Sequence, residues 1–241
     1  MRKLTPSYRA LLFDFDDTLI QTVHHNIPGW QNAAARANLP HRPEQIWRER
    51  WGGLPVELVR RVYDNKISEE QAKKVVSYKQ NENERNFIPE VSGATKAISS
   101  LSERCILGIV TSRERFRQPF AQFTSRSGQP IYSLLEYRVD SSGFNLDDFA
   151  FMVGSDENEY HKPDPRVFNK PAALLQAHGV SINDAAYVGD DVTDWHASRD
   201  AGIPFYAVTS GVRTREDFIK EGCPPQNILS SIACLPTKIL L

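Results

Sequence analysis

The sequence predicts an α/β protein built on a doubly wound parallel sheet, with a block of helices inserted after the first strand. Three patterns lead there. Ala10-Leu11-Leu12-Phe13 is a short apolar run that ends in acidic turn residues, the pattern of a buried parallel-type strand. Residues 20 to about 87 carry helix formers and few strand signals. From Pro89 onward, short β-branched runs alternate with stretches of helical periodicity, as in strands joined by crossover helices.

The chain has 241 residues, 40% hydrophobic and 24% charged. That suffices for one large domain, or for one domain with an insert. A formal net charge of −1 gives no whole-protein field that favours nucleic acid or anionic membranes. Cys105, Cys223 and Cys234 are an odd set without C-x-x-C spacing, so neither a disulfide framework nor a zinc site is expected. The basic N-terminus meets Asp14 before it becomes a signal core, and no stretch approaches the roughly 20 apolar residues of a membrane span. The expectation is a cytoplasmic protein that binds neither nucleic acid nor membrane. Oligomeric state is not legible.

In the helical block, Ala33-Ala34-Ala35, Glu44–Arg50, Val56–Tyr63 and Glu69–Gln80 are the helix candidates. Val56, Val59, Arg60 and Tyr63 fall on one helix face, and Ser68 with Gln71 fits a capping box. Arg60-Arg61 and Lys73-Lys74 read as solvated helix faces, and His24-His25 as a surface loop. Then come a helix over 92–101 with Ile98 and Leu101 inward, a strand over 106–110, a helix over 114–123 and a strand over 149–153. A helix over 165–177 follows, with Asp164 as N-cap and Pro165 in the first turn. The series ends with a strand over 185–188, a helix over 193–201, a strand over 205–208 and a helix over 215–221. Residues 124–146 are less regular, with a turn at Ser127-Gly128-Gln129-Pro130 and one short helix, and have no assigned role.

Phe13-Asp14-Phe15-Asp16-Asp17-Thr18-Leu19 places two carboxylates two residues apart at a strand end. On a strand, such residues share a face roughly 7 Å apart. Anions that close ask for a cation or for one protonated partner. From this heptapeptide alone, a reactive pair and an ordinary acidic turn fit equally. Three later segments change the weighing: Leu107-Gly108-Ile109-Val110-Thr111-Ser112-Arg113, His161-Lys162-Pro163-Asp164-Pro165, and Tyr187-Val188-Gly189-Asp190-Asp191-Val192-Thr193-Asp194. Each alone is weak; the ordered set is strong.

In this order the segments resemble the four motifs of the haloacid dehalogenase-like (HAD) superfamily, over residues 10 to about 211. The resemblance implies a HAD-like core formed by 1–20 and 88–241, and a helical cap over 21–87 of the phosphoglycolate phosphatase-like type. It implies a Mg²⁺-dependent phosphatase. Asp14 is then the nucleophile that forms an aspartyl-phosphate, and Asp16 the general acid/base. Thr111 and the Ser112 backbone N–H bind phosphoryl oxygen, and Lys162 neutralises the transferring group. Asp14, the Asp16 carbonyl and Asp190 hold Mg²⁺, a hard ion that takes few carboxylates. Asp194 stands behind these ligands, and Asp191 joins them, stands behind them or faces solvent.

The Trp51-Gly52-Gly53-Leu54-Pro55 loop, and Gly53 within it, corresponds to a cap loop that faces substrate, or is a simple inter-helix turn. The family often has Gly where Asp17 stands. Asp16, which HAD dehalogenases lack, argues against carbon–halogen chemistry. The expected partner is a small-molecule phosphate ester. Alternatives are a phosphomutase of the β-phosphoglucomutase type, a phosphonatase drawing on Lys66 or Lys73, and a non-catalytic binder of phospho-ligands. Intact Asp14, Asp16, Lys162 and Asp190 weigh against the last.

Overall fold

The computed structural model describes residues 7–52, 55–80, 87–116 and 123–240. Six strands form one parallel sheet in the order β5-β2-β1-β6-β7-β8. These are β1 (Ala10–Phe13), β2 (Ile106–Val110), β5 (Phe151–Val153), β6 (Ala185–Gly189), β7 (Phe205–Val208) and β8 (Ile228–Leu229). Strands β3 (Phe123–Thr124) and β4 (Pro130–Ile131) make a separate antiparallel hairpin.

The β1 strand shows why the sheet is buried on both faces. Leu11 and Phe13 join the core that also holds Ile98, Leu101, Leu107, Ile109 and Ile239. Ala10 and Leu12 join the opposite core, with Leu175, Tyr187, Phe205 and Phe218. A period-2 strand with apolar side chains in both phases can only sit between two helical layers. Helices Ala94–Ser102, Leu134–Ser141 and Leu235–Ile239 supply the first layer. Helices Asn169–Ala177, Val192–Asp200 and Arg215–Lys220 supply the second.

The strand order reverses between β1 and β6. From β1 the chain first builds outward through β2 to β5, then returns to lay β6, β7 and β8 on the other side. Such a switch point opens a crevice at the carboxyl ends of the strands. Phe13 pairs with Ile109 on one side and with Val188 on the other. The residues that follow these three strand ends are therefore brought together.

By backbone contacts the chain divides into two units, Met1–Gln21 with Phe87–Leu241, and Thr22–Asn86. The second unit consists of helices Thr22–Arg36, Glu44–Glu49, Pro55–Val62 and Glu69–Gln80. Val59, Val62, Tyr63 and Trp47 are buried in it. Ser68 and Gln71 exchange the two hydrogen bonds of a capping box, at 3.1 and 2.9 Å.

Several expectations are corrected. His24-His25 lies within helix Thr22–Arg36, not in a loop; His24 meets Arg48 and Glu44 there. Arg61 is not simply solvated, because its guanidinium donates to the carbonyls of Arg50 and Gly52. Glu114–Phe116 are not helical. The Asp156 carboxylate takes the N–H groups of Arg115 and Phe116, at 2.7 and 2.8 Å, and Phe123 already belongs to β3. Residues 117–122 of that expected helix lie outside the described residues. Ile131 sits in β4 rather than in the short helix, which runs Leu134–Ser141. The expected helix over 165–177 opens as a 3-10 turn, Pro165–Phe168, with Asp164 as its cap. The sixth strand, β8, was not expected.

Gly108 faces Phe151 across the β2–β5 pair, and a Cβ there would overlap the Phe151 ring. Gly108→Ala is expected to lower stability by about 1–3 kcal/mol, the usual cost of overpacking, in denaturant melts. Adding Phe151→Leu should recover part of that loss.

Candidate active site

Asp14 follows β1, and its N–H donates to the Val188 carbonyl at 2.8 Å, which extends the strand ladder by one bond. Thr111 follows β2 and Asp190 follows β6. Lys162 comes from the segment between β5 and the 3-10 turn at Pro165. Its ammonium donates to Asp14 Oδ1 at 2.9 Å, to Asp194 Oδ1 at 2.6 Å and to the Tyr187 hydroxyl at 2.9 Å. The lysine side chain is only 5% exposed. Burial alone would depress its pKa, but the charges of Asp14 and Asp194 prevail and hold it well above the usual lysine value. The ammonium charge is therefore kept.

The acids differ in their surroundings. Burial raises the Asp14 carboxyl to about 7; Lys162 opposes this, and the charges of Asp194 and Asp16 add to it. Asp190 is raised well above the carboxylate range by burial, then by the charges of Asp17 and Asp14. Its hydrogen bond is to the Thr18 hydroxyl at 3.1 Å. Among the described residues it has no ion pair. One carboxylate oxygen each from Asp14, Asp190 and Asp194 lies within 4.8 Å of the others. Hard oxygen donors, buried together and carrying more negative than positive charge, fit a hard divalent cation.

Asp194 has both oxygens occupied. Oδ1 takes Lys162 and the Tyr187 hydroxyl, and Oδ2 accepts from the Asp191 N–H at 3.0 Å. Asp191 caps helix Val192–Asp200, accepting from the Thr193 N–H at 2.9 Å and pairing with Arg213 at 2.9 Å. Burial would raise its carboxyl, but the Thr193 N–H and Arg213 bring it below the usual value.

The strand stops at Phe13, so Asp16 stands in the turn beyond it and the strand-face argument for the Asp14–Asp16 pair does not apply. That turn needs a left-handed residue, and Asp17, at φ 54°, supplies it. Asp is among the few non-glycine residues that accept this conformation. Asp16 is held by a fork from Arg113. Ser112 is exposed, and Thr111 Oγ1 accepts from the Arg113 N–H at 3.2 Å. Gly53 lies outside the described residues.

Sequence reasoning missed Tyr187, Thr18, Arg113 and Gly211. Tyr187 was detectable as the polar tip in an apolar strand, and Arg113 as a charge directly after a strand end. Gly211 gave no signal; a Cβ there would overlap the Asp190 carboxylate.

The family model for haloacid dehalogenase-like hydrolases matches residues 8–202. The chain is 34% identical over 97 residues to the haloacid dehalogenase-like hydrolase domain-containing protein 3 of Danio rerio, an alignment covering 39% of this chain and 37% of that protein. It is 38% identical over 68 residues to a phosphoglycolate phosphatase of Xylella fastidiosa, 28% of each chain. These alignments span well under two thirds of either relative. The solved structure of a haloacid dehalogenase-like family hydrolase from Streptococcus pneumoniae superposes with a TM-score of 0.68 at 18% identity, covering 96% of this chain and 98% of that one. At that identity the likeness is one of fold.

A carboxyl whose pKa is higher in the folded chain favours folding only while protonated. The Asp14 contribution is therefore complete below 3.8 and lost as pH rises through about 7. Protein stripped of divalent ions is expected to melt at lower temperature at pH 8 than at pH 5. Asp190→Asn, which removes a neighbouring charge, should narrow that gap in thermal melts. An equal or wider gap would exclude the cluster as its source.

Proposed function

From a chain that belongs to the haloacid dehalogenase-like hydrolases, we propose a Mg²⁺-dependent phosphatase that hydrolyses a small-molecule phosphate monoester through an aspartyl-phosphate on Asp14. One observation carries this reading: Asp14, at the switch point of the sheet, has one oxygen held by the buried Lys162 ammonium and lies beside the cation-poor Asp190. That is a carboxylate fixed for attack, in surroundings that call for a further positive charge.

In the first half-reaction a carboxylate oxygen of Asp14 bonds to phosphorus. The ester P–O bond breaks, and the leaving oxygen takes a proton from Asp16. In the second half-reaction a water oxygen bonds to phosphorus and gives its proton to Asp16. The Asp14–phosphorus bond breaks with its electron pair returning to the carboxylate, and phosphate leaves. Lys162 neutralises charge on the transferring group and keeps Asp14 in place. Asp194 and Tyr187 keep Lys162 in place. Thr111 accepts from the Arg113 N–H, so its hydroxyl hydrogen is available to a phosphoryl oxygen, and the backbone N–H of Ser112 would serve the same task. Mg²⁺ held by Asp14, the Asp16 carbonyl and Asp190 would offset the charge of the phosphate dianion.

No helix among the described residues is long and apolar enough to cross a membrane. The phosphoglycolate phosphatase of Xylella fastidiosa among the relatives makes small phosphorylated acids the first compounds to screen. Release of inorganic phosphate, with no isomerised sugar phosphate, separates hydrolysis from mutase chemistry.

Asp14→Asn is expected to fold and to be inactive on p-nitrophenyl phosphate, while a chelator abolishes wild-type turnover and Mg²⁺ restores it. Near-native turnover by Asp14→Asn would remove the nucleophile. Asp16→Asn is expected to form the aspartyl-phosphate from this substrate yet to hydrolyse it roughly 10²- to 10⁴-fold more slowly, the usual cost of losing an acid/base group.

A further inference from the structure

Arg113 is a cation at the site to which the two half-reactions above give no role. Its Nε donates to Asp16 Oδ2 at 3.0 Å, and its Nη2 donates to Asp16 Oδ1. This joins positions 97 residues apart in the chain. Two parallel N–H···O bonds fix the plane of a carboxylate as well as its place, which a lysine cannot do. The arginine is itself anchored at both ends of its backbone. Its N–H donates to Thr111 Oγ1 at 3.2 Å, and its carbonyl accepts from Ser155 N–H at 3.0 Å. The two side chains are 19% and 30% exposed, so the pair is neither a loose surface contact nor sealed in the core.

A carboxylate offers about four acceptor positions, and the fork occupies two. A carboxylate whose plane and place are fixed by a fork meets an incoming proton donor, such as a water, in a set direction. The arrangement therefore matches one half of the cycle better than the other. Resting on the phosphatase reading above, we propose that Arg113 is the positioning residue of the hydrolytic half-reaction, holding the Asp16 carboxylate where it accepts the proton of the water that attacks the Asp14 phosphate. In that step the water oxygen bonds to phosphorus, its proton passes to Asp16, and the phosphorus–Asp14 bond gives its electron pair back to Asp14. Arg113 exchanges no proton and forms no bond. Its effect is exerted entirely through the orientation of Asp16.

The test is rapid-quench kinetics with p-nitrophenyl phosphate and saturating Mg²⁺, comparing wild type with Arg113→Ala and Arg113→Lys. Nitrophenolate leaves without a proton, so the first half-reaction should keep its rate and appear as a burst. Steady-state kcat should fall roughly ten- to hundredfold, the scale of a misplaced reacting group. KM should fall with it, so that kcat/KM stays near wild type, and the acid-stable acyl-phosphate should accumulate. The lysine variant should recover part of the loss. Adding Arg113→Ala to Asp16→Asn should cost little more, since both act on one group.

A fall in kcat/KM equal to the fall in kcat would make Arg113 a transition-state or phosphate contact and overturn the proposal, as would unchanged kcat or multiplying losses in the double variant. If Arg113→Ala does not fold, Arg113→Lys and Arg113→Gln carry the same measurements. A wild-type protein that releases phosphate from no ester overturns the phosphatase reading, and this one with it. Wild-type turnover with any of the contrary Arg113 results overturns this one alone.

Discussion

The site depends on one buried ammonium. Lys162 binds Asp14, Asp194 and the Tyr187 hydroxyl together, and thereby ties three segments of the fold to one atom. Taking such a charge out of water is costly unless its donors are satisfied, and here an ammonium with three donors has three acceptors. The Tyr187 hydroxyl also reaches the carbonyl of Val110 at 3.1 Å, the last residue of β2. The lysine is thereby coupled to the strand that delivers Thr111. Removing the positive charge would leave buried carboxylates facing one another, a larger penalty than the loss of a single hydrogen bond.

The negative side of the site is less balanced. Lys162 serves Asp14 and Asp194, Arg113 serves Asp16, and Arg213 serves Asp191. Asp190 is left to a hydroxyl, and burial together with its neighbours' charge raises its carboxyl. The loop after β7 presses on this same acid through Gly211, and the Ser210 hydroxyl donates to the Asp17 carbonyl at 2.6 Å. The turn after β1 and the loop after β7 therefore hold Asp190 without neutralising it. Such a site is arranged to gain from a ligand of opposite charge.

Much of this was readable in the chain because it is local. The strand Ala10–Phe13, its acidic exit, the cap at Asp164 and the box at Ser68 and Gln71 all follow from neighbours within four positions, where spacing and side-chain type decide the geometry. What was misread depends on remote partners. At Glu114–Phe116 the expected helical start is overridden by Asp156, 41 residues away from Arg115. Likewise only the folded chain shows that Asp191 caps a helix and that Asp194 anchors the lysine. No spacing rule links Arg113 to Asp16, or Thr18 to Asp190, because only the closed sheet brings those segments side by side. The strand β8 was missed because two residues carry too little periodicity to register.

The capping box at Val192–Asp200 has a consequence for how the protein fails. Asp194 closes the first helical turn through the Asp191 N–H and, with its other oxygen, holds Lys162. Helix ends open far more often than helix centres. Each opening of this turn frees the acid that orients the ammonium, so the catalytic geometry is lost in a motion much smaller than unfolding. The deuterium exchange rate of one backbone amide, that of Asp191, thus reports how often the site is out of working order.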